Sequence, residues 1–244
     1  MNDNPLFQFV KLFHGKISSN IYTPLIGKTD PKQLAFLRNL EKELQTEKSL
    51  YIPLDELNVV VFDFETTGFF PERGDQILSI GAVKIKKGQM NDKETFYSLV
   101  HNNESLSPDI KRLTGLDESD LQAAPALSEV LISFYQFLQS DTLVAHHASH
   151  EKKFLQHANW KAFKKTHKHR IVDTSLVFNI VNRDKNVVSL DDYCTLSDLE
   201  IRNRYHALGD ALITAELWQL YIKKLKDHGC YTLKDVYERL ARLK

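Results

Sequence analysis

The alternation of apolar and polar positions divides this chain into short strands and amphipathic helices. Segments in which apolar residues alternate with polar ones, or run together between turn formers, predict strands at residues 58–64, 76–86, 95–100, 142–145 and 170–173. Apolar residues at helical spacing predict helices at residues 125–138, 149–160, 174–182, 189–196, 208–226 and 233–243. Three early strands followed by alternating helices and strands indicate an α/β fold, with a mixed sheet and helices on both of its faces.

The first part of the chain follows a different pattern, which predicts a helical N-terminal extension. Apolar residues between Leu6 and Phe13 predict a short helix, and turn formers follow it. A second helix is predicted at residues 30–47, with Asp30 as N-cap and Pro31 as first residue. Its predicted buried stripe consists of Leu34, Phe36, Leu37 and Leu40. We therefore expect an extension at residues 1–55, a main domain at residues 56–227 and a C-terminal helix at residues 228–244.

Composition narrows the class of protein. The 244 residues are 42% hydrophobic, which is enough for a substantial core, and 32 acids balance 32 bases. Zero net charge does not exclude a nucleic-acid partner, because local patches set the field that a phosphate meets. The cysteines, Cys194 and Cys230, show neither a disulfide framework nor metal-type spacing. No apolar run approaches the roughly 20 residues that span a bilayer, and the N-terminus does not resemble a signal peptide. We expect a soluble cytoplasmic protein without a membrane partner.

Two acids stand at the end of a strand that is predicted to be buried. Asp63 and Glu65 follow the apolar run Val59–Phe62. Residues two apart on a strand point to the same face, so both carboxylates project into one small volume. Two like charges that are buried together are costly unless a cation joins them. Hard oxygen ligands favour Mg²⁺ or Mn²⁺, so the pair predicts a metal site.

The acids of this pair need partners, because two ions require more oxygen ligands than two side chains supply. Glu151 lies where the strand at residues 142–145 gives way to a helix, and Asp210 lies at the start of the long helix. Acids near the starts of two helices and on a central strand can converge over one edge of a sheet. We therefore expect Asp63, Glu65, Glu151 and Asp210 to meet in one pocket.

Six short segments in the right order carry a resemblance to a known family. They are Asp63-Phe64-Glu65-Thr66-Thr67-Gly68, Ile77-Leu78-Ser79-Ile80-Gly81, Leu113-Thr114-Gly115-Leu116, Ala124-Pro125, Val172-Asp173-Thr174, and Asp210-Ala211 with Thr214-Ala215-Glu216-Leu217. On these residues the chain resembles the DEDD superfamily of 3′-to-5′ exonucleases, near the epsilon proofreading branch of bacterial DNA polymerase III. The resemblance covers roughly residues 57–226 and implies a ribonuclease H-like fold.

The chain departs from the family pattern at two places. Glu151 stands where the family has Asp; it keeps the charge but adds a methylene, so the metal or the helix must shift slightly. The general base of the histidine branch lies five residues before the last Asp, where this chain has Tyr205. The tyrosine branch has its Tyr one residue later, where this chain has His206. We expect His206 to be the base, because imidazole accepts a proton near neutral pH; Tyr205 stays open as a residue that orients water.

The resemblance implies a reaction in which two Mg²⁺ or Mn²⁺ ions support hydrolysis of the 3′-terminal phosphodiester of DNA to a nucleoside 5′-monophosphate. We expect the DNA to be single-stranded. Asp63 and Glu65 would act in catalysis and, with Glu151 and Asp210, hold the ions; Asp63 would bridge them. By analogy with the family, Thr66, Thr67 and His147 contact the substrate, with Phe69 or Phe70 near the terminal nucleotide. A DNA polymerase is a further expected partner.

Two alternatives stay open on the sequence. One is an exoribonuclease of the same superfamily, since no residue is identified that reads the 2′-hydroxyl. The other is a catalytically impaired module that binds nucleic acid or accompanies a polymerase, which the exchanged Tyr205-His206 pair and Glu151 favour. The segment from Lys152 to Arg170 contains seven Lys or Arg, three His and no acid. It is either a solvated face or a guide for a phosphate backbone.

Overall fold

The computed structural model describes residues 31–44, 48–183 and 187–242, although not the side chains of Leu34 and Asp92. The predicted helix near Leu6–Phe13 and the predicted N-cap Asp30 lie outside these residues. Within them, five strands form one mixed sheet in the order β3-β2-β1-β4-β5. The strands are β1 (Val59–Thr66), β2 (Ile77–Lys86), β3 (Gln89–Leu99), β4 (Thr142–Ala145) and β5 (Ile171–Asp173). β1, β2 and β3 pair antiparallel, whereas β4 runs parallel to β1 and β5 parallel to β4.

Helices cover both faces of this sheet, as the sequence predicts. In the described residues they are α1 (Pro31–Leu44), α2 (Pro108–Thr114), α3 (Glu118–Ala123), α4 (Leu127–Leu138), α5 (Ser149–Phe163), α6 (Thr174–Val181), α7 (Leu190–Leu196), α8 (Ala207–Asp227) and α9 (Leu233–Arg242), with one 3₁₀ turn at Pro71–Arg73. None of the helices in this part of the chain is both long enough and apolar enough to cross a membrane.

The central strand β1 divides the hydrophobic core into two layers, because its side chains alternate between the faces. Val59 and Val61 pack with α6, α7, α8 and α9, around Trp218 and Tyr221. The intervening apolar side chains of β1 pack with α1, α4 and α5 on the other face. Since the α8 face of β1 carries Val59 and Val61, the same alternation places Asp63 on that face.

The described part of the predicted second helix, α1 at Pro31–Leu44, packs against the main core. Leu37 and Leu40 are buried in the layer that contains α4 and α5, and Phe36 is partly buried beside them. Glu41 accepts a hydrogen bond from Lys165 at 2.9 Å. The described residues from Pro31 onward form one compact unit. The division of the chain at residues 55 and 227 stays a prediction.

Two short helices and half of one strand were not predicted. The signals for α2 are complete: Ser107 caps its first turn, Pro108 follows, and Gly115 ends it with a φ of 66°. It contains only two apolar residues, Ile110 and Leu113, so apolar periodicity did not indicate it. Strand β3 begins at Gln89, six residues before the predicted start, because the turn at Lys87-Gly88 returns the chain directly onto β2.

Candidate active site

Asp63 and Glu65 lie on one face of β1, near its carboxyl end. Both follow Val59 and Val61 in the alternation, and Glu65 is 9% exposed. Burial and the charge of Glu151 raise the pKa of Asp63 well above its usual range. Burial also raises the pKa of Glu65 to about 7, with a smaller contribution from the charge of Asp210. These two carboxylates are therefore costly to ionise without a cation.

Asp210 reaches this pair because a glycine lets helix α8 lie directly on the sheet. Gly81 pairs with Asp63 across β1 and β2. A Cβ at Gly81 would lie 2.1 Å from the amide nitrogen of Leu208 and 2.2 Å from the carbonyl carbon of Ala207. The first turn of α8 thus occupies the space above Gly81, and it carries Asp210 with it.

The three acids come together as predicted. Ligand oxygens of Asp63, Glu65 and Asp210 all lie within 4.8 Å of one another. Burial raises the pKa of Asp210, and the Arg204 guanidinium opposes this shift. Such a cluster brings hard oxygen donors to one point, which is the arrangement that a divalent cation requires.

Glu151 lies outside this tight group but beside it. It occupies the first turn of α5, is 4% exposed, and its charge contributes to the raised pKa of Asp63. Burial raises the pKa of Glu151 itself to about 8. The extra methylene of Glu, relative to the Asp of the family pattern, accompanies this more distant placement.

Two buried oxygens test whether a metal fits the site. Within the described residues, Oδ1 of Asp210 and Oε2 of Glu151 have no hydrogen-bond partner. A buried acceptor without a partner is costly, and a bound cation would satisfy both atoms. The oxygen-only donor set suits Mg²⁺ or Mn²⁺ better than a soft metal. The residues therefore fit a divalent ion.

Tyr205 and His206 both lie just before the long helix. Helix α8 begins at Ala207, and His206 is its N-cap with an extended backbone. Its Nδ1 accepts a hydrogen bond from the Gly209 amide at 3.4 Å. Its ring stacks on Tyr97, with 4.5 Å between ring centroids, and burial lowers the pKa of His206.

Tyr205 has a different environment. Its backbone is left-handed, with a φ of 60°, and its side chain is 41% exposed. The Arg204 guanidinium lies 4.6 Å from the centre of its ring, and its amide donates to Oδ2 of Asp210 at 3.3 Å. Its backbone thus supports a candidate metal ligand while its ring packs against a cation.

The predicted substrate contacts form a turn beside the acids. Oγ1 of Thr66 donates to the Gly68 carbonyl at 2.7 Å and lies 3.4 Å from Nε2 of His150. The Thr67 amide donates to the carbonyl of Gln76. Phe69 is 73% exposed and its ring contacts His150 edge-on. The side chain of His147 is exposed, and its Nε2 lies 2.9 Å from the carbonyl oxygen of Val188.

From His150, a basic and aromatic face continues along α5. Its side chains stand at helical spacing and are all exposed: Lys153, His157, Trp160, Lys161 and Lys164. The ammonium of Lys161 also reaches the side-chain oxygen of Gln76 at 3.4 Å. This face, which we call the α5 face, begins at the turn that carries Phe69.

Comparison with known proteins agrees with this geometry. A family model described as Exonuclease (RNase_T) matches residues 60–218. The chain belongs to this exonuclease family. The match spans the sheet and all four acids of the candidate site.

Relatives of this chain have names that refer to DNA polymerase III. A DNA polymerase III subunit epsilon-like protein of Rhodobacter capsulatus is 35% identical over 192 residues, which are 78% of this chain and 27% of that protein. A PolC-type DNA polymerase III of Caldanaerobacter subterraneus is 33% identical over 177 residues, which are 72% of this chain and 12% of that protein. This chain thus spans about a quarter or less of the length of these relatives.

Solved structures confirm the ribonuclease H-like fold. Cell-death related nuclease 4 superposes with a TM-score of 0.61 at 18% identity, covering 69% of this chain and 64% of that one. E. coli Exonuclease I in complex with a dT13 oligonucleotide has a TM-score of 0.57 at 12% identity, covering 70% and 43%. A 3′-exonuclease that recognises the histone mRNA stem-loop has a TM-score of 0.58 at 17% identity, covering 72% and 84%.

Two residues of the exonuclease site were missed by the sequence analysis. Arg204 forms ion pairs with both Asp210 and Asp191. Tyr97, on β3, pairs with Gly81 and stacks on His206. The sequence did offer one signal for Arg204, which is its position six residues before Asp210. Tyr97 offered none, because its role depends on the pairing of β2 with β3.

Proposed function

We propose that this protein is a metal-dependent 3′-to-5′ exonuclease that hydrolyses terminal phosphodiesters of DNA and releases nucleoside 5′-monophosphates. The observation that carries the proposal is the convergence of Asp63, Glu65 and Asp210, whose ligand oxygens lie within 4.8 Å of one another. The buried, unpartnered oxygen of Glu151 stands beside them. Asp63, Glu65, Glu151 and Asp210 would hold two Mg²⁺ or Mn²⁺ ions. When bound, such ions activate water and stabilise charge on the phosphate.

His206 supplies the proton acceptor in this proposal. While its Nδ1 accepts from the Gly209 amide at 3.4 Å, the neutral ring carries its hydrogen on Nε2. The ring takes the proton from the attacking water at Nε2 in the other tautomer, in which the hydrogen lies on Nδ1 and this long contact is given up. Burial lowers the pKa of the ring, which keeps it neutral and able to accept a proton at neutral pH. Stacking on Tyr97 fixes the plane of the ring. Tyr205 is the alternative, as a residue that orients water.

The substrate would enter along the α5 face. The exposed ring of Phe69 offers a surface for the terminal base, and Thr66, Thr67 and His147 surround the same edge. Lys153, Lys161 and Lys164 would contact phosphates, and Trp160, which is 57% exposed, offers a second stacking surface. Charge and stacking together suit a single strand, in which the bases are free to stack.

The choice of DNA rests on the relatives. The relative from Rhodobacter is named as epsilon-like, and the Caldanaerobacter relative is a DNA polymerase. A DNA polymerase is therefore the proposed protein partner, which would also place this exonuclease in the cytoplasm. RNA is the second candidate substrate, because one protein of the same fold recognises an mRNA stem-loop.

A paired substrate assay tests the proposal. Single-stranded DNA and RNA of one sequence, labelled at the 5′ end, are incubated with Mg²⁺ or Mn²⁺. We expect DNA ladders that shorten from the 3′ end, nucleoside 5′-monophosphates as product, and no reaction with Asp63→Asn or with a chelator. Faster degradation of RNA would replace the DNA assignment with the exoribonuclease.

Titration calorimetry separates the proposed enzyme from a module that only binds nucleic acid. The enzyme should bind Mn²⁺ in a manner that Asp63→Asn weakens. Binding of DNA without metal binding and without hydrolysis would overturn the proposal in favour of the impaired module.

A further inference from the structure

Arg204 is a cation placed inside the cluster of acids. Its Nη1 lies 2.5 Å from Oδ2 of Asp210, and its Nε lies 2.5 Å from Oδ1 of Asp191. The Arg204 side chain is 20% exposed, and the ring of Tyr205 covers its guanidinium at 4.6 Å. A guanidinium held at two ends and on one face has little freedom to turn.

The two oxygens of Asp210 have different environments. Oδ2 accepts hydrogen bonds from Arg204 and from the Tyr205 amide. Oδ1 is buried and, in the part of the chain that the structure describes, has no partner. The rotation of the carboxylate is therefore fixed by the oxygen that is already engaged, and the other oxygen is left for a ligand.

A cation at this position could act in either of two ways. It could occupy the place of a metal ion and compete with it, or it could hold the carboxylate in the orientation that binds the metal. The geometry favours the second, because the engaged oxygen and the free oxygen are different atoms. Arg204 is also tied to Asp191 on helix α7, so it need not move when an ion arrives.

We propose that Arg204 is a positioning residue, which holds Oδ2 of Asp210 so that Oδ1 faces the metal, and that Asp191 anchors it. The proposal rests on the proposed function, since it assumes a divalent ion at the acids. It assigns Asp191 a role in the site although this acid contributes no metal ligand. Loss of an outer partner of a metal ligand typically weakens metal binding 10- to 100-fold.

Calorimetric titration of the metal-free protein with Mn²⁺ tests the proposal. Arg204→Gln should bind Mn²⁺ about tenfold or more weakly. Asp191→Asn should weaken binding by less, because Arg204 keeps its contact with Asp210. Arg204→Lys should restore only part of the affinity, since one ammonium cannot reproduce the forked contact. The matched control is Arg202→Gln, which removes an exposed ion pair with Glu200 two residues away and should leave the affinity unchanged.

The outcomes separate the two ideas. Tighter Mn²⁺ binding by Arg204→Gln would show that Arg204 competes with the metal, and this would overturn the proposal. Unchanged Mn²⁺ affinity would overturn it as well. If thermal unfolding in chelator shows that Arg204→Gln does not fold, Asp191→Asn replaces it: weaker Mn²⁺ binding than wild type would support the proposal, and unchanged or tighter binding would overturn it. A wild-type protein that binds no Mn²⁺ would instead reject the proposed function. A wild type that binds Mn²⁺ and degrades DNA, with Arg204→Gln unaltered, would reject this inference alone.

Discussion

His206 has two separable tasks, and a change to alanine would remove both. In one neutral tautomer its Nδ1 caps helix α8, and in the other its Nε2 is the proposed proton acceptor. Asparagine is a good N-cap but a poor base, so His206→Asn should keep the helix and lose the reaction. We expect a fall in kcat of about 10²- to 10⁴-fold, with little change in the midpoint of thermal unfolding. Single-turnover assays with saturating Mg²⁺ measure the first, and circular dichroism the second.

Tyr205→Phe is the control for this experiment, because it removes only a hydroxyl from a residue whose backbone supports Asp210. It should keep kcat within about threefold. Full activity of His206→Asn, together with loss of activity in Tyr205→Phe, would transfer the role to Tyr205.

Glu151 links the metal site to pH. Its pKa is raised to about 8 by burial, from 4.5. A carboxyl group whose pKa is higher in the folded protein stabilises it below pH 4.5, and this stabilisation is lost as the pH rises through about 8. The loss is about 5 kcal/mol at most. In chelator, the free energy of unfolding of wild type minus that of Glu151→Gln should therefore decrease between pH 6.5 and pH 8.5.

The pH window avoids the buried histidines. Burial lowers the pKa of both His146 and His169 to about 4. Their effect on the pH dependence of stability therefore falls below pH 6.5. Denaturant titrations at four pH values measure the difference, and saturating Mn²⁺ should reduce its pH dependence because the cation stabilises the ionised carboxylates. A difference that stays constant with pH in chelator would show that Glu151 does not have a raised pKa inside this window.

The packing of helix α8 on strand β2 depends on a single missing side chain. Gly81→Ala would place a methyl 2.1 Å from the Leu208 amide nitrogen, so the start of the helix must move away. Asp210 moves with it, and Mn²⁺ affinity should fall by about tenfold or more. We expect destabilisation of 1–3 kcal/mol as well, on the order found for overpacked cores. Calorimetry and denaturant unfolding measure the two effects.

Gly115→Ala is the matched control. It strains a left-handed backbone, while its methyl would meet nothing within 4 Å. It should cost roughly 1 kcal/mol of stability and leave Mn²⁺ affinity unchanged. If Gly81→Ala retained full affinity, the glycine would not be what brings Asp210 to the sheet.

The role of Gly81 is an example of a contact between distant elements, which the sequence alone did not predict. The alternation along β1 predicted that Asp63 and Glu65 share a face, and apolar spacing predicted α7 and α8. The partners of His206 and Asp210 could not be predicted, because Tyr97 reaches His206 only through the register of β2 with β3. The start of α8 was predicted to within one residue, at 208 against Ala207, but the positive φ of Tyr205 was not predicted. Local patterns predicted elements and ligands; contacts between distant elements needed the pairing of the strands.

The whole molecule is neutral, yet its charges are unevenly distributed. Between Lys152 and Arg170 the chain has no acid, and the α5 face presents its bases next to Phe69. If this face carries the phosphate backbone, Lys153→Glu combined with Lys161→Glu should raise KM for single-stranded DNA about tenfold or more at low salt. The value of kcat should change little, because neither lysine belongs to the candidate metal site or is the proposed base.

The dependence of KM on salt distinguishes a phosphate-binding face from a general effect of charge. Each lost phosphate contact removes roughly 0.7 from the slope of log affinity against log salt for a single strand. The double variant should therefore show a shallower slope than wild type. Lys223→Glu combined with Lys224→Glu changes the net charge equally, but at positions about 20 Å along α8 from Asp210. Equal slopes for the two double variants would mean that net charge, and not the α5 face, attracts the strand.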